Sequence, residues 1–315
     1  MPLYSYADVT LATNFSVAGL LAVIHENKSS DITFQIMNSP PVEPAGIDWV
    51  HHWHTPSGDI SLSLARREKG FLLRFPALAD FVIAENGSRI SAWPAPGTDE
   101  ETVRHLLLDQ VMPRVLSHWG RLVLHASAVC VDDRVIAFAG DTGSGKSTLA
   151  AGLHISGRPL LTDDGLVLRS GKSGIEAIPC YAGLRLLPES VAALFTESPR
   201  KKAMASYSLK NRVTLPQNEE IDPVELAALF VLDKSGRENK EPDVSIASLS
   251  QRDACMELVR NSFQLDVSNQ EQVTALFSSA AAVAERVPVF SLSYPRDFSI
   301  MPSVFEAVLL QIKKT

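Results

Sequence analysis

A glycine-rich stretch in the middle of the chain reads Gly140-Asp141-Thr142-Gly143-Ser144-Gly145-Lys146-Ser147. It matches the phosphate-binding pattern G-x-x-x-x-G-K-[ST] at every fixed position. An apolar run at 135–139 precedes it and predicts a strand buried on both faces, and residues 147–153 predict the start of a helix. Because a phosphate loop lies between a strand and a helix N-terminus, this order favours an α/β domain that binds a nucleoside triphosphate.

The chemistry of this loop follows from the residue types at its fixed positions. Its glycines permit backbone conformations in which successive N–H groups point at one anion. Lys146 is placed to reach the β- and γ-phosphates, and the Ser147 hydroxyl to bind Mg²⁺. We therefore predict ATP and Mg²⁺ as cofactors, with nucleotide contacts from Gly140, Asp141, Thr142, Gly143, Ser144, Gly145, Lys146, Ser147 and Thr148. The alternative is an accidental glycine-rich turn, which the Lys-Ser ending and the flanking elements disfavour.

Two adjacent carboxylates follow the next predicted strand. Residues 160–162 predict that strand, and Asp163 and Asp164 stand at its end, where ligands collect in open α/β sheets. Phosphoryl transfer to a hydroxyl uses a carboxylate to orient or deprotonate the acceptor and a metal to neutralise the phosphates. We assign Asp163 as the base and Asp164 as the Mg²⁺ partner, and the sequence permits the reverse. A solvated turn is the alternative, of the kind that Asp132-Asp133 predicts between two strands.

The composition is that of an ordinary globular protein. Of the 315 residues, 45% are hydrophobic and 21% charged, and the length favours two domains because single cores stop growing at about 250 to 300 residues. The formal net charge of −7 gives no reason to expect a nucleic-acid partner.

There is neither an apolar run long enough for a membrane span nor a basic signal segment at the N-terminus, so we expect no membrane partner and a cytoplasmic location. Cys130, Cys180 and Cys255 are widely spaced and predict neither a disulfide framework nor a zinc site.

The polarity pattern divides the chain near residue 97. Residues 1–97 predict a smaller β-rich N-terminal domain, and residues 98–315 an α/β domain around the phosphate loop. Before the division we predict a Pro-rich break at 93–99 and strands at 31–36, 60–64, 70–75 and 81–84. After it we predict a helix at 99–118 with a kink at Pro113, a hairpin strand at 122–130, a strand at 223–232, a helix at 251–263, a strand at 287–294 and a helix at 303–313.

Three segments together resemble a known family. They are Leu124-His125-Ala126-Ser127-Ala128-Val129, the loop from Gly140 to Thr148, and Leu161-Thr162-Asp163-Asp164. These segments are similar to the catalytic core of HPr kinase/phosphorylase and its HPr-kinase-like relatives. The resemblance implies a phosphoenolpyruvate-carboxykinase-like nucleotide fold and ATP-dependent phosphorylation of a serine hydroxyl on a protein or peptide. It also implies catalytic roles for His125, Asp163 and Asp164, and a possible homo-oligomer.

Two features differ from the bifunctional members of that family. Thr148 stands where those members have Glu after Lys-Ser, and residues 181–186 stand where they have a second glycine-rich signature. The chain is therefore more similar to HPr-kinase-like proteins, some of which resemble enzymes that phosphorylate a serine of a ribosomally made peptide. Arg185, Lys210 and Arg212 follow in segments that can fold over the phosphates, where a cation would stabilise the transferring phosphoryl group.

Other functions are compatible with the same loop. A small-molecule kinase would hold its acceptor in a closed pocket, and a nucleotide-binding regulatory protein would show little turnover. The presence of both Asp163 and Asp164 disfavours the regulatory function, because binding alone needs no base. A GTPase and a transporter ATPase are disfavoured because the sequence has neither an Asn-Lys-x-Asp nor a Leu-Ser-Gly-Gly-Gln segment. The cluster His51-His52-Trp53-His54 suggests a metal site, but no further ligand set accompanies it.

Overall fold

A computed structural model places most of the chain. It describes residues 1–17, 20–23, 29–38, 46–55, 57–172, 174–181, 183–195, 199, 201–213, 222–233 and 243–314. These residues form a mixed α/β protein with two large sheets and one small sheet. No helix among them is both long and apolar enough to cross a membrane. The phosphoenolpyruvate-carboxykinase-like arrangement stays a prediction.

The N-terminal residues form one sheet in the region where the alternating polarity of the sequence predicts strands. Its strands are β1 (Leu3–Tyr6), β2 (Val9–Thr13), β3 (Leu21–Ala22), β4 (Ile32–Ile36), β5 (Trp49–His54), β6 (Ile60–Arg67), β7 (Gly70–Phe75), β8 (Ala79–Ala84) and β9 (Arg89–Pro94). They are ordered β3-β1-β2-β4-β9-β8-β7-β6-β5, with an antiparallel meander from β5 to β9. The predicted strands in this region are confirmed as β4, β6, β7 and β8. The break predicted at 93–99 begins later, because residues 93 and 94 end β9.

A broken helix follows the N-terminal sheet over the range predicted for a helix. In chain order it consists of α1 (Glu100–Leu106), a π-helical turn (Leu107–Val111) and α2 (Met112–His118). Asp99 caps it, since its carboxylate accepts a hydrogen bond from the Thr102 N–H at 2.8 Å. Pro113 has no N–H to donate to the Asp109 carbonyl, and the chain widens into the π turn just before it. The irregularity predicted at Pro113 is therefore a π turn, and this turn carries Asp109.

The hydrophobic core crosses the boundary predicted at residue 97. Buried side chains of the broken helix and of the N-terminal sheet belong to one core, which includes Leu64, Phe81, Leu106, Val111 and Val115. A buried hydrogen bond joins the same parts of the chain, from the Tyr6 hydroxyl on β1 to the Leu108 carbonyl at 2.6 Å. The domain boundary stays a prediction, but the two parts are packed against each other.

The second large sheet is built around the strand that enters the phosphate loop. Its strands are β10 (Leu122–Leu124), β11 (Ala126–Val131), β12 (Arg134–Ala139), β13 (Leu160–Thr162), β14 (Leu166–Ser170), β15 (Ile175–Pro179), β19 (Val224–Leu232), β20 (Ser245–Ser248) and β21 (Val289–Ser293). The main order is β10-β14-β15-β19-β12-β11-β13, and β21 pairs with β19 and β20. The small sheet has the order β16 (Leu184–Leu186), β18 (Asn211–Val213) and β17 (Lys201–Ala203).

The strand directions place the residues of the predicted site at one edge of this sheet. β19 is parallel to β12 and to β21, while β11 is antiparallel to both β12 and β13. β12 and β13 are therefore parallel, and the phosphate loop and the acidic pair that follow them share one edge. β11 begins at that edge, so His125, the residue before it, lies there as well. This carboxyl edge is where ligands bind in open α/β sheets.

Helices cover both faces of the second sheet. They are α3 (Lys146–Ile155), α4 (Pro188–Leu194), α5 (Gln251–Arg260), α6 (Gln270–Arg286) and α7 (Met301–Ile312). α3 and α7 share a core with Phe138 of β12, and α5 and α6 share a core with its neighbour Ala137 on the opposite face. A strand covered on both faces has a continuous apolar sequence, as residues 135–139 do. α5 and α7 confirm the predicted helices at 251–263 and 303–313, whereas α6 has no counterpart in the sequence prediction.

Candidate active site

The phosphate loop connects β12 to α3, as its sequence predicts. Gly145 is the N-cap of α3 and has a φ of +107°, a left-handed conformation that favours glycine. A Cβ at Gly145 would also lie 2.9 Å from the Tyr294 hydroxyl. The Ser144 hydroxyl is buried and makes no hydrogen bond to any described residue. The loop therefore offers backbone N–H groups, the N-terminus of α3 and a hydroxyl to an anion.

Lys146 lies inside the loop rather than in solvent. Its side chain is buried, and Nζ donates to the carbonyl oxygens of Gly140 at 2.7 Å and Asp141 at 3.1 Å. Burial lowers the pKa of this ammonium to about 8, and the charge of Asp164 partly opposes the effect. A phosphate oxygen beside Nζ would favour the charged form.

Asp163 is completely buried beneath the carboxyl edge. Its Oδ1 accepts a hydrogen bond from the Ser127 hydroxyl at 2.5 Å, and its Oδ2 accepts one from the Arg185 backbone N–H at 2.9 Å. Burial raises the pKa of Asp163, and the charge of Asp164 adds to the increase. Asp163, the residue predicted as the base, follows β13, and its carboxylate binds one group of β11 and one group of β16. Its assignment as the base stays a prediction.

Asp164 is more accessible than its neighbour and has an uncommon backbone conformation. Its side chain is 12% exposed, and its φ of +82° lies in the left-handed region that non-glycine residues adopt mainly at turns and functional sites. Oδ1 lies 3.2 Å from His125 Nε2, and Oδ2 lies 3.2 Å from Arg185 Nη1. Burial alone would raise the pKa of Asp164, but Arg185 and the hydrogen bond with His125 hold it well below its usual range. Asp164 is therefore ionised at neutral pH.

His125 separates β10 from β11, where the sequence predicts one continuous strand. Its backbone N–H donates to the Asn261 carbonyl at 2.7 Å, which fixes this break in the strand. Burial, and then the charge of Lys146, lowers the pKa of the imidazole, so the ring is neutral at pH 7. Because an ionised Asp164 can only accept a hydrogen bond, Nε2 carries the proton and Nδ1 keeps a lone pair.

Arg185 joins these groups through a buried guanidinium. Nη1 donates to the Asp163 carbonyl at 2.6 Å, and Nη2 donates to Asp109 Oδ1 at 2.8 Å. The guanidinium also lies over the Tyr181 ring, 4.9 Å from its centroid. Burial alone would lower the pKa of Arg185, but Asp109 and the acidic pair outweigh it and raise the pKa. Asp109 is not part of the sequence prediction, although an acidic residue at helical spacing from the apolar Leu106 signals a buried carboxylate.

The three cations predicted near the phosphates reach different places. Arg185 and Lys210 line a cleft above the phosphate loop, and Arg212 is not among the residues that line it. Arg212 lies on β18 directly opposite Arg185 on β16. Burial, and then the charge of Arg185, lowers the pKa of Arg212. Arg212 thus lies beside Arg185 in the small sheet and not in the wall of the cleft.

A cleft lies above the phosphate loop and is partly open to solvent. Its walls include residues 142–148 of the loop and its helix, together with His125, Arg185 and Lys210. Seven of the nine predicted nucleotide contacts and His125 therefore line the cleft. Gly140, Asp141, Asp163 and Asp164 are not among the residues that line it.

The histidine cluster lies elsewhere, on β5 of the N-terminal sheet. His52 Nδ1 is 2.7 Å from the Ser63 hydroxyl. Within the described ranges, no group of three or more His, Cys, Asp or Glu side chains is arranged to hold a metal ion. Nothing in this cluster supports a metal site.

Comparisons with known proteins give a distant similarity to solved structures. No family model matches the chain, and no curated protein matches it. A solved structure of the HPr(Ser) kinase/phosphatase from Coxiella burnetii is similar over 61% of this chain and 98% of the other, with 10% identical residues and a TM-score of 0.31. At this level the similarity carries no argument, and the functional conclusion depends on the geometry of the site.

Proposed function

We propose that the protein is an ATP-dependent kinase that transfers the γ-phosphoryl group to a serine hydroxyl of a protein or a ribosomally made peptide. The observation that carries this proposal is the meeting of the phosphate loop with the His125–Asp164 pair at one edge of the sheet. The loop binds the triphosphate, and the pair provides a proton acceptor in the same region. A protein that only bound nucleotide would need the first and not the second.

The triphosphate is held by the loop and the first turn of α3. Lys146 Nζ contacts the β- and γ-phosphates, while backbone N–H groups and the N-terminus of α3 surround them. The buried Ser144 hydroxyl, which bonds to no described residue, gains an acceptor when a phosphate oxygen is present. Thr148 follows along the helix toward the nucleoside.

The serine proton is accepted by the His125–Asp164 pair acting as a unit. Ionised Asp164 orients the imidazole through Nε2, which leaves the Nδ1 lone pair of a neutral ring to take the proton. Asp163 has no exposed surface, and both its oxygens already accept hydrogen bonds. Its placement supports a positioning role toward Arg185 rather than contact with the acceptor.

The negative charge of the transferring group is balanced by cations and by a metal. Arg185 and Lys210 line the cleft and stabilise the charge on the phosphoryl oxygens. The Ser147 hydroxyl and the Asp164 carboxylate would provide oxygen ligands of the kind that Mg²⁺ prefers, and Mg²⁺ needs few protein ligands when it also binds phosphates. When bound, Mg²⁺ supplies neutralisation of the β- and γ-phosphate oxygens.

The acceptor class is supported by the resemblance and by the surface beside Lys210. Tyr207 and Leu209 precede Lys210 and are exposed by 48% and 83%. Exposed apolar side chains next to a phosphate-binding cation suit an acceptor that continues on both sides of its hydroxyl, as a peptide does. A small-molecule acceptor held inside the cleft would not reach these side chains, because neither residue is among those that line it.

A transfer assay tests the proposal. The protein is incubated with γ-labelled ATP, Mg²⁺ and peptides that carry serine, threonine or alanine at one position. We expect label on the serine peptides, a loss of at least about 100-fold in Asp164→Asn, and unchanged transfer in Asp133→Asn, a matched change at an exposed hairpin tip. Equal transfer by wild type and Asp164→Asn contradicts the proposed mechanism. ATP binding without transfer to any peptide favours the regulatory alternative.

A further inference from the structure

The cleft extends beyond the groups that the proposed phosphoryl transfer uses. The phosphate loop, His125, Arg185 and Lys210 account for one part of its lining. The remaining part is formed by the segment after β21 and by the segment that leads from β16 into α4, with lining residues Leu186, Leu187, Glu189, Ser190, Tyr294, Arg296, Asp297, Phe298 and Met301. The proposed phosphoryl transfer gives no role to this second part.

Phe298 is the unusual member of this second part. Its side chain is 41% exposed, and among the exposed large apolar side chains of the described residues it is the one that lines the cleft. It begins a short 3₁₀ turn, which Asp297 caps by accepting a hydrogen bond from the Ser299 N–H at 2.9 Å. The turn leads directly into α7, which packs on the sheet. Phe298 is thus an exposed ring on a fixed support.

Three aliphatic side chains line this part of the cleft together with Phe298. Met301 is buried on the first turn of α7, and Leu186 is buried at the end of β16. Leu187 is half-buried at the start of α4. A flat apolar group that enters this part of the cleft can therefore contact Phe298 on one side and aliphatic side chains around it.

The order of groups along the cleft decides what that flat group is. In phosphate loops the lysine contacts the β- and γ-phosphates, so the γ-phosphate lies toward Arg185 and His125 and the nucleoside leaves past Thr148. Thr148 Oγ1 lies 3.1 Å from Ser190 Oγ, at the segment that forms the second part of the cleft. The nucleoside therefore leaves the loop toward this second part of the cleft, which Phe298 also lines.

We propose that the nucleobase of the bound nucleotide stacks on Phe298, with Leu187 and Met301 completing an apolar slot. The inference rests on the proposed function, since it takes the loop to be the triphosphate site. Every nucleobase has a π-face, so stacking of this kind supplies affinity without choosing strongly among bases. The phosphate groups and the base are then bound by separate parts of the same cleft.

Binding measurements with two ligands test the phosphate part and the base part of the cleft separately. Isothermal titration calorimetry measures the affinity of wild type, Phe298→Ala and Phe298→Trp for Mg·ATP and for magnesium tripolyphosphate, which has the phosphates and no base. We expect Phe298→Ala to weaken ATP binding about 10-fold and to leave tripolyphosphate binding unchanged, and Phe298→Trp to bind ATP as wild type does. Phe277 on α6 is exposed by 39% and does not line the cleft, so Phe277→Ala is the matched control.

Each outcome decides the inference. ATP binding by Phe298→Ala at wild-type affinity overturns it, as does an equal loss of affinity for ATP and tripolyphosphate. A wild-type protein that binds neither ligand overturns the inference and the triphosphate site together. A protein with the expected binding pattern but no phosphoryl transfer supports the base site and contradicts only the proposed kinase activity.

Discussion

Arg185 Nη2 donates a hydrogen bond of 2.8 Å to Asp109 Oδ1, across 76 positions of sequence. Both side chains are buried, with exposures of 1% and 3%. Asp109 also accepts hydrogen bonds from the Tyr181 hydroxyl and from the His105 ring. The π turn that carries Asp109 thereby fixes the guanidinium of Arg185, a residue that lines the cleft, and Tyr6 of the N-terminal sheet donates to the same turn. The N-terminal part of the chain is linked to the site in this way.

Asp109→Asn is expected to lower kcat by about 10-fold and to leave KM for ATP unchanged. The change removes the counter-charge that holds Arg185, whose charge is needed mainly as the phosphoryl group transfers. Breaking a buried ion pair also lowers the free energy of unfolding, by about 3 kcal/mol. Kinetics normalised to the folded fraction, with urea denaturation alongside, measure the two effects separately. Asp80→Asn removes the partly exposed ion pair with Arg74 and is expected to cost only about 0.5 kcal/mol. A kcat unchanged in folded Asp109→Asn would show that Asp109 only stabilises the fold.

The sequence predicts the parts of the site that depend on local pattern. The strand, loop and helix around Lys146 and the acidic pair after β13 are where the spacing places them, because a phosphate loop and a strand end each have a local signature. Asp109 has only a weak signature, since a single polar residue on an apolar helix face does not say which strand its carboxylate will meet. The contact with Arg185 depends on how the broken helix packs, and that packing is set by the whole core.

The two aspartates are expected to respond differently to the same substitution. Asp164→Asn is expected to abolish transfer and keep most of the stability. Asp163→Asn is expected to cost about 2 kcal/mol of unfolding free energy, because a buried carboxylate that accepts two hydrogen bonds loses its charge and half of its acceptor capacity. Urea denaturation and the transfer assay on folded protein check this. If Asp163→Asn is fully stable and inactive, Asp163 is the base, as assigned from the sequence.

In the fold, too, the elements with a clear local sequence pattern are predicted and the elements that depend on long-range packing are missed. α5 and α7 have clear helical patterns, and the structure confirms them. α6 is rich in alanine and serine, and only four of its residues, Leu276, Ala280, Val283 and Ala284, are buried, so its apolar face is narrow and its periodicity weak. β1 and β2 are short and begin close to the N-terminus, where alternation over a few residues does not distinguish a strand from a turn. These elements are fixed by packing against their neighbours.

The hairpin between β11 and β12 can be stabilised without touching the site. Asp132 and Asp133 have φ values of +47° and +61°, the left-handed pair of a type I′ turn, in which Asn-Gly is preferred. Replacing Asp132-Asp133 by Asn-Gly is expected to raise the free energy of unfolding by about 1 kcal/mol, because glycine adopts this conformation without the cost of a Cβ. Thermal denaturation and the transfer assay together check the result. A lower melting temperature would contradict this account of the turn.

The affinity for phosphates is expected to depend on the charge of Lys146. Burial lowers the pKa of Lys146 to about 8 in the free protein, so the ammonium is present below pH 8 and is lost as the pH rises through that value. Tripolyphosphate binding should therefore weaken above about pH 8, with uptake of a proton near that pH as the ligand favours the charged form. Calorimetry in buffers of different ionisation enthalpy measures this proton uptake. Lys146→Met should bind tripolyphosphate weakly. Its affinity, measured against pH, should lack the decrease near pH 8 that wild type shows. A decrease of equal size in both proteins would assign the titration to the ligand instead of Lys146.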